Sequence, residues 1–299
     1  MRVVSLLPSA TEICFTLGIE PVGVSSECDY PPAAESIPTV ERSRIDEAAD
    51  SAEINAQVAV AEEDGGVYEI DANLLAELDP DLAITQGICE VCAVDEVQVA
   101  GVIDDLGLET DVLTTDPHSL AGLYEDVRRI GRATDTESAA IERVSAWNDR
   151  IAAIRNRSQA IESAPTVAVL DWMDPVMVAG HWMPELTGIA GGEYPLADPG
   201  DRSRPREWRE IREADPDVLI AAPCGYAIEE TLANRDELTD RPGWDELTAV
   251  QENRVYAFDG HHYVNRPGPR LIETAEYLAG LLHPAEFPRP PGDVATALE

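Results

Sequence analysis

Cys28, Cys89, Cys92 and Cys224 each fall in a short polar stretch that follows an apolar run. Thiolate sulfur suits zinc, copper(I) and iron–sulfur clusters, and the Cys-x-x-Cys of CEVC offers two sulfurs to one ion from a tight loop. Three readings stand side by side for this set. As ligands the four would hold an iron–sulfur cluster or zinc; as small apolar side chains they would fill space at loop bases. As a dithiol, Cys89 and Cys92 would exchange electrons, although Glu-Val between them lacks the usual turn chemistry of that role.

A second group carries rings, imidazoles and charge. Asp171 and Trp172 close the run TVAVL, His181 and Trp182 follow VMVAG, and Asp259, His261, His262, Tyr263 and Arg266 follow RVYAF. Such rings stack on or ligate a flat cofactor while the charged groups meet its polar edges. Asp259 and Arg266 also read as an ion pair with each other. From the first half of the chain Ser9, Glu27 and Gln86 join the group, each at the end of an apolar run or just beyond it. No G-x-G-x-x-G, G-x-x-x-x-G-K or G-x-S-x-G occurs, so neither a nucleotide cradle nor a hydrolase nucleophile elbow has support. The chain reads as a binding protein sooner than as an enzyme.

The elements that must position these residues alternate between strand and helix. RVVSLL, DLAIT, TVAVL and DVLIAA are continuous apolar runs of the kind buried in parallel sheets. In open parallel sheets ligands lie beyond the carboxyl ends of the strands, and the residues named above fall there. LLAELDPDLAIT and READPDVLIAAP repeat one pattern of helix, Asp-Pro-Asp and buried strand, once in each half. Between the halves, Ile141, Val144, Trp147, Ile151, Ile154 and Ile161 recur at helical spacing without Gly or Pro. That predicts one unbroken helix from Thr136 to Ser163, roughly 40 Å long, with this stripe buried. The fold class is therefore α/β: two Rossmann-like lobes with mainly parallel sheets, joined by one long rigid helix. The N-terminal lobe spans 1–115, the helical connector 116–163 and the C-terminal lobe 164–284, leaving a Pro-rich tail, 285–299, expected to be poorly ordered. The weakly patterned stretch 37–66 reads as a connection with one helix near Asp50 to Glu62.

Composition excludes several partners. Of 299 residues 58 are acidic and 21 basic, and the net charge of −37 repels nucleic acid and anionic lipid. A surface adapted to high salt, where screening weakens self-repulsion, accounts for that balance. No run approaches the ~20 apolar residues of a membrane span. MRVVSLLPSATE lacks a signal-peptide core, so the expected location is the cytoplasm, where the cysteines would be thiols; an extracytoplasmic location would require a misassigned start.

SLLPSATE, GVSSECDYPP, LAELDPDLAIT, HWMPELTGIAGG, ADPDVLIAAP and NRPGPRLIETAEYLA follow the order found in a known family. The chain resembles the vitamin B12 and iron-siderophore solute-binding proteins of ABC importers, nearly throughout to about Pro284. The resemblance implies two α/β lobes on a stiff helix, a cobalamin or other metal chelate held between the lobes, and an ABC permease as partner if the protein is exported. It places Ser9, Glu27 and Cys28 where corrin-contacting loops lie, puts Gln86 where an aromatic residue is usual, and matches Asp259 and Arg266 to the last loop's Asp and Arg. The positions of the family's two docking glutamates hold Asn73 and Arg209, with Glu77, Glu207 and Glu210 close by.

Overall fold

The computed structural model describes residues 1–45, 56–57, 60–61, 67–87, 94 and 96–298. They form two compact units: Met1–Pro117 with Gly122–Val144, and His118–Ala121 with Ser145–Glu299. The stretch expected to be a separate connector is thus shared between the two. No helix among the described residues is long and apolar enough to cross a membrane.

In the first unit the strands are β1 (Val3–Ser5), β2 (Gly23–Ser25), β3 (Thr39–Ser43), β4 (Tyr68–Ile70), β5 (Leu82–Gln86) and β6 (Asp111–Thr115). They lie in the order β4-β3-β2-β1-β5-β6, parallel except for the antiparallel β3–β4 pair. Helices α1 (Pro8–Thr16), α2 (Ala72–Leu78) and α3 (Glu96–Leu106) make return connections, and α4 (Leu120–Ala133) follows the last strand. Central β1 and β5 are buried along their whole length, which is why both read as unbroken apolar runs. β3 escapes such a reading because TVERS carries charge, yet its Glu41 is buried. The helix expected near Asp50 to Glu62 lies largely outside the described residues.

The second unit contains β7 (Val167–Met173), β8 (Val176–Val178), β9 (Arg204–Pro205), β10 (Val218–Ala221), β11 (Val255–Phe258) and β12 (Ala295–Ala297). Their order is β12-β11-β10-β7-β8-β9, and only β7, β10 and β11 run parallel. Both sheets are thus mixed, the first with one antiparallel pair at its edge and the second with a parallel centre and antiparallel flanks. Asp174 and Pro175 alone separate β7 from β8, and a link that short permits only a hairpin. Helices α5 (Glu137–Ser158), α6 (Met183–Ile189), α7 (Trp208–Ala214), α8 (Ile228–Ala233), α9 (Asp236–Thr239), α10 (Thr248–Gln251) and α11 (Leu271–Leu282) complete the chain.

The Pro-rich tail is ordered, contrary to expectation. Its β12 pairs antiparallel with β11, Phe287 and Leu298 are buried, and Arg157 covers the Phe287 ring at 4.8 Å. Its prolines lie before the strand, where they make turns without interrupting the ladder.

Helix α5 is 22 residues long, about 33 Å, and stops short of the expected end at Ser163. Ser158 Oγ donates to the Ile189 carbonyl at 2.8 Å, tying the last turn to α6. Its buried stripe is Ala140, Val144, Trp147, Ile151 and Ile154, whereas Ile141 is 56% exposed. Ala140 takes the place assigned to Ile141 because Gly131 of α4 brings that backbone close: a Cβ there would lie 2.7 Å from Ala140 Cβ.

The repeated Asp-Pro-Asp does the same two things in both units. Asp79 and Asp215 end α2 and α7 in the left-handed region, at φ 39° each. Asp81 and Asp217 then accept from the first backbone N–H of the neighbouring chain, Arg2 beside β1 and Thr166 beside β7. Thr166 donates twice to Asp217 Oδ2, from N and from Oγ1, at 2.8 Å each. Asp217→Ala should therefore lower stability by about 2 kcal/mol, read as a lower urea midpoint at unchanged slope.

Candidate functional site

In the second unit the carboxyl end of β11 runs directly into a π turn, Gly260–Val264. Asp259 opens it, accepting from His262 N at 2.8 Å and meeting His262 Nδ1 at 2.7 Å. The carboxylate therefore sets both the backbone and the ring of His262. Arg266 Nη2 lies 2.6 Å from His261 Nε2; a guanidinium only donates, so Nε2 accepts and the ring proton sits on Nδ1. Asp259 and Arg266 thus each orient one histidine of the adjacent pair, a role beyond the simple ion pair read from the sequence. The two imidazoles stand edge to face at 4.5 Å.

Tyr263 packs against Tyr277 at 5.4 Å, with the Arg270 guanidinium 5.3 Å from its ring centre. Burial pushes its phenol up to about 12, with Tyr277 and Glu273 adding to the shift. Without a bound cation Tyr263 therefore offers a neutral hydroxyl and an apolar face.

Other residues expected at the site fall around the same strand ends. Trp172 is half-buried, tilted against Tyr226 at 5.4 Å, and spends its N–H on the Asp174 carbonyl. Trp182 is buried, donates to the Val264 carbonyl at 2.9 Å, which fastens the π turn, and sets its ring against His181 at 5.4 Å. Asp171 is buried with no partner for Oδ1; burial raises it to about 6, the Ser203 hydroxyl opposing. His181 is half-buried at φ 52°.

In the first unit, described by itself, Ser9 lies buried in the first turn of α1 and Gln86 ends β5, also buried. Glu27 is half-buried, its N–H donating to Ser25 Oγ at 3.1 Å. Cys28 Sγ is 3.1 Å from Thr11 Oγ1 and packs with Val24, Ala34, Ile37 and Phe15. That surrounding makes it a small apolar filler. Cys14 is buried beside it, its thiol pushed up to about 12 by burial with Cys28 adding. Cys224 is exposed and its N–H donates to the Asp171 carbonyl. Cys89 and Cys92 lie outside the described residues. Among the described residues no cysteine joins a group of three metal-ligating side chains, so iron–sulfur and zinc ligation gain no support.

Sequence reasoning passed over His118, Tyr226, Gly260 and Glu41. Glu41 is 1% exposed and neither carboxylate oxygen has a hydrogen-bond partner. Burial raises it to about 7; the Ser25 hydroxyl opposes without reaching hydrogen-bond geometry, and Glu27 adds. A lone Glu inside TVERS gives no such signal. Gly260 is also buried, and a glycine before two histidines in the sequence gives no sign of the backbone packed against it.

The fold recurs in solved structures. An ABC transporter substrate-binding protein from Listeria monocytogenes superposes with a TM-score of 0.72 at 19% identity, over 95% of this chain and 98% of that one. The periplasmic heme-binding protein RhuT from Roseiflexus sp. RS-1 gives 0.71 at 24%, over 95% and 98%. The vitamin B12 binding protein BtuF of Vibrio cholerae gives 0.68 at 21%, over 95% and 97%. In sequence, the chain is 24% identical to the ABC transporter substrate-binding lipoprotein YvrC of Bacillus subtilis, over 96% of this chain and 81% of the relative. It is 24% identical to a cobalamin-binding protein of Halobacterium salinarum, over 94% and 69%. Residues 3–261 match the family model described as periplasmic binding protein, a stretch that holds β1 to β11 and reaches into the π turn. With two α/β units and a cluster of oriented rings beyond the strand ends, the chain belongs to the periplasmic binding protein family.

Proposed function

We propose that this protein is the solute-binding component of an ABC importer and that its solute is a corrinoid. The observation that carries the reading is the π turn after β11, where Asp259 and Arg266 each fix one imidazole beside half-buried aromatic rings. A corrinoid is a broad macrocycle with an amide fringe, and it needs apolar area together with a few donors and acceptors whose directions are set beforehand. Supporting it are relatives named for cobalamin in Halobacterium salinarum and for vitamin B12 in Vibrio cholerae. The importer role rests on the name of the Bacillus subtilis relative, and it carries the export reading in preference to the cytoplasmic one. Its partner would be the importer's permease.

Haem is the second reading, and one observation favours it. An imidazole whose Nδ1 is held by a carboxylate is a better ligand through Nε2, and His262 is so held. Titrating the purified protein with cyanocobalamin and, separately, with haemin decides between them. One-to-one binding of cyanocobalamin is expected; binding of haemin alone selects the second reading, and binding of neither overturns both. Asp259→Asn should weaken cobalamin binding about tenfold, the value of one charge-assisted hydrogen bond, without moving the melting temperature by more than a few degrees. Equal affinity in the variant would remove the π turn from the site.

A further inference from the structure

His118 and His181 come from distant parts of the sequence and both belong to the second unit. Their Nδ1 atoms are 2.7 Å apart, and the rings stack at 4.9 Å with 29° between their planes. Both are half-buried.

Neither ring is held by chance. Leu120, two residues after His118, is buried and donates its N–H to Glu185 Oε2 at 2.9 Å, which anchors residues 118–121 to α6. His181 sits at φ 52°, a region few residues with a β-carbon occupy. It is kept there by its neighbours: its N–H donates to the Asp201 carbonyl and its own carbonyl accepts from Gly200 at 2.8 Å. The residue before it, Gly180, has no room for a side chain, since a Cβ would lie 2.2 Å from the Asp201 oxygen. A left-handed residue that so many contacts enforce is a place to look for chemistry.

Two imidazole nitrogens in hydrogen-bond contact share one proton, and a divalent cation can take its place. With metal–nitrogen bonds of about 2.0 Å, ligands at a right angle stand about 2.8 Å apart and tetrahedral ones about 3.3 Å. The separation in the protein equals that of a right angle, and a modest turn of both rings, which now point nearly head-on, converges their lone pairs on one ion in the geometry of tetragonal copper(II) or nickel(II). We propose that His118 and His181 chelate a divalent transition ion through their two Nδ1 atoms, copper(II) before nickel(II) and zinc, with water filling the other positions. The proton between the two rings moves from Nδ1 to Nε2 of the ring that carries it, so each imidazole ligates in its neutral form.

The test uses copper(II) alone on the full chain without corrinoid, in high salt so that the acidic surface is screened. One equivalent should bind with an electron paramagnetic resonance spectrum showing hyperfine splitting from two nitrogens. His118→Asn should lower the affinity at least tenfold and remove that splitting, while the double variant H261N/H262N keeps both. His181→Asn provides the second measurement, and circular dichroism shows whether each variant is folded. A two-nitrogen signal that survives in folded H118N, or that disappears in H261N/H262N, overturns the proposal. Because no corrinoid is present, failure here leaves the solute reading untouched.

Discussion

Gly260→Ala should abolish high-affinity solute binding and destabilise the second unit at once. A Cβ at this position would lie 2.1 Å from the Pro223 oxygen and 2.6 Å from the Ala222 oxygen, both main-chain atoms that cannot swing aside. Relief requires the π turn to move away from the β10 end by about 1 Å, comparable to other overpacked cores. Such a shift breaks the bonds that hold the turn: Gly260 and His261 N–H to the Tyr226 carbonyl, and Asn265 Nδ2 to Ala222 and Gly260. Overpacking and lost hydrogen bonds together predict a loss of about 3 kcal/mol or more, with binding weakened at least a hundredfold. Gly188→Ala is the control, since nothing lies within 4 Å of its Cβ and it sits inside α6. That change should be neutral or mildly stabilising. Urea unfolding of both variants, with cyanocobalamin titration, checks the pair. A G260A protein that binds and unfolds like the parent would show that the turn is not packed as described.

Stability should fall as pH rises from about 4.5 to 7, and Glu41→Gln should remove much of that slope. Burial holds Glu41 at about 7 when folded, against 4.5 as the ordinary value. Between those values the folded protein keeps a proton that the unfolded chain has released, so raising the pH favours unfolding. At roughly 1.4 kcal/mol per unit, the charged form costs the fold about 3 kcal/mol once the pH is above 7, an order-of-magnitude figure. Asp171, at about 6 against 3.8 and also raised by burial, acts in the same direction over a lower window. Glu41→Gln should therefore exceed the parent in stability by about 2 kcal/mol at pH 8 and match it near pH 5. The measurement belongs in high salt, because titrating a chain of net charge −37 relieves general repulsion along the same axis. A variant no more stable than the parent at pH 8 would mean that Glu41 is compensated when ionised.

How far the sequence foretold this structure depends on which interaction decides each element. The central strands β1, β5, β7 and β10 and the helices α2 and α7 declare themselves, because burial on both faces leaves continuous apolar runs and Asp-Pro-Asp marks the joins. Helix α5 was also plain, but its register was not: the choice of Ala140 over Ile141 is made by Gly131 on another helix, information that periodicity does not contain. β3, β4 and β12 were missed because their pairing partners, not their own composition, make them strands. At the candidate site, the residue types after β11 point to the loop that the π turn forms. The division of labour within it, Asp259 to His262 and Arg266 to His261, is set by the π turn and has no signature in spacing. Cys28 shows the opposite limit, since its position suggested a ligand while Thr11 and the surrounding aliphatic side chains give it a packing role.

The β11–β12 ladder bears on how the molecule is made. Residues 295–297 are synthesised after every other described strand, so the outer border of β11 stays bare while the rest of the second sheet assembles. An open border of this kind invites pairing with a foreign chain. Until the tail arrives, the strand carrying the histidine turn is therefore also where newly made copies are most prone to stick together, and removing residues 285–298 would make that vulnerable stage permanent.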